Sequence, residues 1–211
     1  MIGVIDYGAG NLGSVMNALG RLSIPARFTA GPEELASASP FEKIIFPGDG
    51  HFVSAMASIE KSGYAQAIKE WIQADRPFLG ICIGLQLLFE SSEEAQIRRG
   101  EPGDGAEAKG LSIIPGTVRR FPGRKVPQIG WNQTAALPGA AMFRGISDNS
   151  FFYYIHSYYA DPADNSFRAA EAEYGLRYCS AVERGALSAV QFHPEKSGVA
   201  GLALLRNWAE G

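Results

Sequence analysis

Phe78-Leu79-Gly80-Ile81-Cys82-Ile83-Gly84-Leu85-Gln86 is an apolar run with a cysteine held between two glycines. Residues 78–81 read as a buried strand, and a helix is expected over about 84–90. The form G-x-C-x-G at a strand-to-helix junction has the layout of a nucleophile elbow. Small residues are needed there because the two backbones nearly collide around the nucleophile. The turn also leaves the thiol at a helix N-terminus, where the macrodipole favours thiolate. A lone thiol is most often a buried core residue, and the flanking glycines tip the balance toward a nucleophile.

Working outward, strands alternate with helical patterns throughout the first half. Strands are expected at 2–6, 26–30, 43–46 (ending at Pro47) and 78–81. Helices are expected at 11–22, 52–60 and 64–74. That alternation predicts βαβ units and a mostly parallel sheet. The second half reads as strands at 111–121, 126–134, 151–160, 168–174 and 178–192, several with two-residue alternation. A last helix covers 199–209. Residues 100–110 are polar and glycine-rich and read as a surface loop, not a linker. The expectation is one domain spanning 1–211, of α/β class: an open, mostly parallel sheet with flanking helices and an antiparallel or mixed extension.

Composition agrees. A chain of 211 residues and 22.7 kDa removes roughly 70% of its extended surface from water on folding, ample for a core without staples. With 46% apolar and 19% charged residues it is globular, not disordered. The net charge of −3, without a basic block, excludes a phosphate-tracking nucleic-acid groove. Cys82 and Cys179 cannot make a disulfide framework. The start, Met1-Ile2-Gly3-Val4-Ile5-Asp6, lacks the pattern of a signal peptide, and no apolar run reaches the roughly 18 residues that cross a bilayer. A soluble, reducing, cytoplasmic setting is expected, with Asn132-Gln133-Thr134 an accidental sequon.

Gly8-Ala9-Gly10-Asn11-Leu12-Gly13 fits G-x-G-x-x-G, but no acid follows the second strand to take a ribose hydroxyl; that region reads Phe28-Thr29-Ala30. A tight strand-to-helix turn is the better reading. For the base that a nucleophilic cysteine needs, only His51, His156 and His193 are available. Periodicity does not rank them, since His51 and His156 fit as structural, aromatic-flanked histidines. The strand-end location and the spacing His193-Pro194-Glu195 favour His193, with Glu195 placed to orient the ring. Pro47-Gly48-Asp49-Gly50 ends the third strand, where glycine freedom would let backbone N–H groups face an oxyanion; a simple turn fits the local pattern equally well. Scattered histidines and cysteines show no metal-ligand spacing, and no cofactor is expected.

With G-I-C-I-G-L-Q, the P-G-D-G loop and V-Q-F-H-P-E-K-S in this order, the sequence resembles the class I (triad) glutamine amidotransferases. More narrowly it is similar to the glutaminase subunits of imidazole glycerol phosphate synthases, on Ile5-Asp6-Tyr7-Gly8-Ala9-Gly10-Asn11-Leu12, Ile129-Gly130-Trp131-Asn132 and Phe152-Tyr153-Tyr154-Ile155-His156-Ser157-Tyr158-Tyr159. The resemblance implies a Cys82–His193–Glu195 triad that hydrolyses glutamine through a γ-glutamyl thioester, with Gly48, Asp49 and Gly50 as oxyanion loop. It implies that Gln86, Glu94 and the Ser157-Tyr158 backbone hold the amino-acid end of glutamine. It implies a (βα)8-barrel cyclase partner that takes the ammonia and forms imidazole glycerol phosphate and AICAR, with Asn11, Trp131 and Lys196 at the interface. Each interface residue has a plainer role open to it: a helix cap, core packing and a solvated charge.

One departure stands out. The family's loop usually reads P-G-V-G, and Asp49 replaces the apolar residue. An anion pointing inward would oppose the oxyanion, so Asp49 is expected to point outward. Alternatives are a glutaminase serving another ammonia-channelling synthase, a stand-alone γ-glutamyl hydrolase, an inactive binding subunit, or, last, a nucleotide-dependent oxidoreductase.

Overall fold

The computed structural model describes residues 1–8, 11–94, 107–123 and 125–211. Its first half is wound as the alternation requires. Strands β1 (Ile2–Val4), β2 (Ala26–Phe28), β3 (Lys43–Gly48) and β4 (Phe78–Cys82) are parallel, in the order β2-β1-β3-β4. The helices between them are α1 (Leu12–Arg21), α2 (Phe52–Lys61) and α3 (Tyr64–Gln73). Successive strand residues point to opposite faces, so the sheet has a core on each side. Ile44, Phe46 and Phe78 pack with Phe52, Ile59, Ile68 and Trp71 of α2 and α3. Ile45, Leu79 and Ile81 pack with Val15 and Leu19 of α1 and with Leu204, Leu205 and Trp208 near the C-terminus. Each such fully buried side chain contributes about 1.5–3 kcal/mol.

After Cys82 the helix is a single turn, α4 (Ile83–Gln86), and the chain is back in a strand, β5 (Phe89–Ser92). This corrects the helix expected over 84–90. The remaining strands are β6 (Ala108–Lys109), β7 (Ile114–Arg120), β8 (Gln128–Ala136), β9 (Ser150–His156), β10 (Tyr158–Pro162), β11 (Arg168–Glu173), β12 (Arg177–Arg184) and β13 (Leu187–Val190). Helix α5 (Gly198–Glu210) closes the chain. Strand β13 adds to β4 in parallel, β12 pairs β13 antiparallel, and β10, β7, β5 and β6 follow in turn. Strands β11, β8 and β9 branch from β12. Among the described residues all thirteen strands share one sheet, and its antiparallel part is the mixed extension expected.

Two expected strands are split. The run 178–192 folds back at Gly185, whose φ of +58° is open to glycine; Asp75 accepts from the Ala186 N–H there at 3.0 Å. The run 151–160 breaks at Ser157, where the chain leaves β8 to pair β7 and β12. Strand β3 continues through Pro47 to Gly48. Of the loop expected over 100–110, residues 100–106 lie outside those described, and Ala108–Lys109 form β6. Among the described residues no helix is long and apolar enough to cross a membrane.

Candidate active site

Cys82 ends β4 with φ +56° and ψ −108°, a region that a non-glycine residue rarely visits. The glycines around it explain how. A Cβ on Gly84 would strike the Phe46 carbonyl oxygen, and one on Gly80 would lie 2.8 Å from the Gly84 carbonyl oxygen. Only bare backbone lets α4 leave β4 this sharply across β3. The thiol is thereby raised at the carboxyl end of the sheet, and it is 4% exposed.

His193 follows β13, the strand beside β4, on the same edge of the sheet. Its Nδ1 donates to Glu195 Oε1 at 2.8 Å, and both side chains are buried. The ring is also anchored through its backbone. The His193 N–H donates to the Tyr153 carbonyl at 2.9 Å, Ser197 Oγ donates to the His193 carbonyl at 2.6 Å, and the Tyr153 N–H donates to Ser197 Oγ at 2.9 Å. Burial by itself would lower the imidazole pKa. The negative charges of Cys82 and Glu195 outweigh it and raise the value to about 10. Nδ1 belongs to Glu195, and Nε2 has no hydrogen bond in this conformation. The arrangement favours the imidazolium form of His193.

The other histidines separate clearly. His156 is buried in the sheet; its Nδ1 donates to the Tyr158 carbonyl at 2.7 Å. Burial, with the neighbouring His193, holds it down to about 4, so it is neutral. His51 has a side chain 81% exposed and meets Glu94 Oε1 at 2.9 Å.

A pocket of about 260 Å³ opens over the thiol. Asp49, Gly50, Gln86, Glu94, Ser157, Tyr158, Cys82 and His193 all line it, so the structure brings together nearly every site residue expected from the sequence. Glu195 stands behind His193, and Gly48 is buried below the loop. Gln86 Nε2 is already committed, donating to the Tyr158 carbonyl at 3.0 Å and to Gln191 Oε1 at 2.9 Å. Its Oε1 remains for a ligand's donor. Glu94 Oε2 accepts from the Phe52 N–H at 2.8 Å, which ties the carboxylate to the start of α2. Asp49 is exposed, as expected of an outward anion, yet it forms part of the pocket wall.

The three interface candidates lie elsewhere. Trp131 is 56% exposed, which removes core packing as its role. Asn11 precedes α1 but its side chain makes no cap bond, and Lys196 is half-buried with no ion pair among the described residues. In the β8–β9 ladder Ile129 faces Ile155 and Trp131 faces Tyr153. Ile129, Trp131, Phe151 and Ile155 form an exposed apolar row that reaches the pocket mouth at Ile155.

Gln191 was missed. Gln191, fully buried, donates Nε2 to Cys82 Sγ at 3.7 Å; its place two residues before His193 is the only signal the sequence carried. At G-x-G-x-x-G, Ala9 and Gly10 lie outside the described residues. A Cβ on Gly13 would meet nothing within 4 Å, so no tight approach needs that glycine. Thr29, where a ribose-binding acid would stand, is buried and bonded to Tyr64 at 2.6 Å. Among the described residues no cluster of His, Cys, Asp or Glu could hold a metal ion.

Comparison with known proteins agrees with this geometry. The family described as "Glutamine amidotransferase class-I" matches residues 3–210. The chain is 44% identical over 210 residues to the imidazole glycerol phosphate synthase subunit HisH of Moorella thermoacetica, covering 99% of this chain and 94% of that one. It is 42% identical to HisH of Chlorobium luteolum over the whole of both chains. Among solved structures, PurLQS from Thermotoga maritima superposes with a TM-score of 0.74 at 14% identity, over 99% of this chain and 97% of that one. A crystal structure of a glutamine amidotransferase gives 0.71 at 18%, over 99% and 97%; both likenesses concern the fold. The chain belongs to the class I glutamine amidotransferases and, within them, to the HisH subunits of imidazole glycerol phosphate synthase.

Proposed function

We propose that residues 1–211 act as one glutaminase domain, with Cys82, His193 and Glu195 as its triad, feeding ammonia to a (βα)8-barrel cyclase that docks over the pocket. The observation that carries this reading is Cys82, held at positive φ on its elbow beside a histidine locked to a buried carboxylate. The Cys82 thiolate attacks the γ-carbonyl carbon of glutamine. The negative oxygen that forms is received by backbone N–H groups of Asp49 or Gly50 and of Ile83. His193 gives its Nε2 proton to the amide nitrogen, the C–N bond breaks, and ammonia departs, leaving a γ-glutamyl thioester. Water, losing a proton to His193, then attacks the thioester; thiolate leaves and glutamate is released. Glu195 holds the ring and stabilises its cationic form throughout. Gln86 Oε1, Glu94 and the Ser157-Tyr158 backbone hold the amino-acid end.

Ammonia is protonated in neutral water and loses its lone pair, so the product must pass to its acceptor under cover. The apolar row Ile129–Trp131–Phe151–Ile155, continuous with the pocket mouth, is the surface a partner would seal. Trp131 supplies an anchor and Lys196 and Asn11 the polar rim. With the cyclase the products are imidazole glycerol phosphate and AICAR, in a cytoplasmic setting. The test is glutaminase activity of the chain alone, then with cyclase, then with cyclase and its nucleotide ligand. Activity that rises with partner and ligand is expected; activity indifferent to both favours a stand-alone γ-glutamyl hydrolase.

A further inference from the structure

Tyr7 is a buried polar residue that the mechanism above does not use. It follows β1, its side chain is 6% exposed, and its ring packs on Phe46 with centroids 5.4 Å apart. Its hydroxyl oxygen is inaccessible to solvent and has no hydrogen-bond partner among the described residues. Burial, followed by the negative charges of Asp49 and Cys82, pushes the phenol pKa upward. The group is therefore a protonated donor with nothing to donate to, an arrangement that opposes folding. Native structures carry few such groups, and each calls for a reason.

The position of the hydroxyl supplies one. A Cβ built on Gly48 would fall 2.8 Å from Tyr7 Oη, 3.0 Å from Ile83 Cβ and 3.2 Å from the Gly84 nitrogen. Oη thus lies directly against the first residue of the oxyanion loop. Tyr7 is not among the residues lining the pocket, so it stands on the loop's inner side. In a trans peptide the N–H and C=O groups point in opposite directions. For the Asp49 N–H to aim at an oxyanion in the pocket, the Gly48 carbonyl must therefore point away from the pocket, toward the side where Tyr7 waits. The unpaired hydroxyl means that this carbonyl is not yet received there.

We infer that Tyr7 is a positioning residue of the oxyanion loop: its hydroxyl donates to the Gly48 carbonyl when the Gly48–Asp49 peptide turns its N–H into the pocket. The hydroxyl then stabilises the turned loop relative to the conformation seen here, although it never touches substrate. This inference rests on the glutaminase reading of the site. It also explains how a loop bearing Asp49 can be held in register, since the peptide is fixed from below while the carboxylate stays in solvent.

Tyr7→Phe removes only the hydroxyl. Because that group is unpaired in this conformation, the variant should melt at the same temperature as the parent or higher. A residue needed for the turned loop should at the same time lower kcat for glutamine by about tenfold or more, the worth of one hydrogen bond to the loop. KM should be unchanged, because Tyr7 meets no part of the substrate. The parent and the variant are assayed side by side with cyclase and its nucleotide ligand. Unchanged melting with depressed kcat and an intact KM is the expected result. An active parent matched by an equally active variant overturns the role of the hydroxyl alone. A variant that melts well below the parent also overturns it, since the hydroxyl would then have a partner already. A parent without glutaminase activity strikes the reading of the whole site, and this inference with it.

Discussion

Cys82 and His193 are each held in a state they would not adopt alone: the thiol by a strained φ, the imidazole by two anionic neighbours. His193→Ala should nearly silence hydrolysis in a steady-state assay, whereas Glu195→Gln should be milder, since an amide still holds the ring but no longer balances its charge. His156→Asn tests the opposite assignment. Its folded value of about 4 lies below the ordinary 6.5, so the unfolded chain takes up a proton over this window that the folded chain refuses. The stabilising effect is complete above pH 6.5 and is lost as the pH falls toward 4. Between pH 7 and 5 it should cost about 2 kcal/mol. His193, raised to about 10, gains stability over the same interval in both chains, so urea unfolding at the two pH values should show the parent losing about 2 kcal/mol more than His156→Asn. Equal slopes would show that His156 is not held neutral. Periodicity left the three histidines unranked and only the strand-end location and the His193-Pro194-Glu195 spacing favoured His193; burial and partners, which a sequence does not carry, separate all three.

Elements place these residues with little tolerance. Gly84→Ala puts a methyl against the Phe46 carbonyl on the neighbouring strand, where neither backbone can yield. The expected loss is about 3 kcal/mol in denaturant unfolding, at the upper end for overpacking. Gly13→Ala, in open space within α1, should be neutral or stabilising by up to about 1 kcal/mol. A Gly84→Ala chain as stable as the parent would mean that the elbow is not packed as described. G-x-C-x-G was legible because steric need selects glycine, and the parallel half was legible because its strands are continuous apolar runs. The strand break at Ser157 was not, because the partners that decide it, β8 before and β7 and β12 after, are distant in sequence; the hairpin at Gly185 did carry a local signal, Glu183-Arg184-Gly185, between two apolar runs. The one-turn length of α4 was hidden likewise: Leu87, Leu88 and Phe89 are buried whichever element they join.

The whole molecule joins a parallel, doubly covered half to an antiparallel half whose β8–β9 face is left apolar and exposed. Tyr153 belongs to that face and also accepts from the His193 backbone, so the surface and the proposed triad share a residue. Trp131→Ala should weaken cyclase binding by about 30-fold, the 2 kcal/mol typical of an aromatic anchor. Lys196→Ala should act mainly on the association rate and its salt dependence. Titration calorimetry and stopped-flow mixing separate the two; binding indifferent to Trp131 would move the docking face elsewhere. The row could be seen in the sequence only as alternation, since which face of β8 is covered depends on strands outside the ladder.

The central claim is that Cys82 frees ammonia from glutamine for delivery to a docked partner without release to water. Glutamine labelled with ¹⁵N in its side-chain amide, given to the complex with the cyclase's nucleotide substrate and excess unlabelled ammonium, measures this directly. The imidazole product should carry ¹⁵N almost undiluted, and Cys82→Ala should abolish that incorporation while the complex still assembles. Product whose label falls in proportion to the added ammonium, or label that persists in Cys82→Ala, would contradict it.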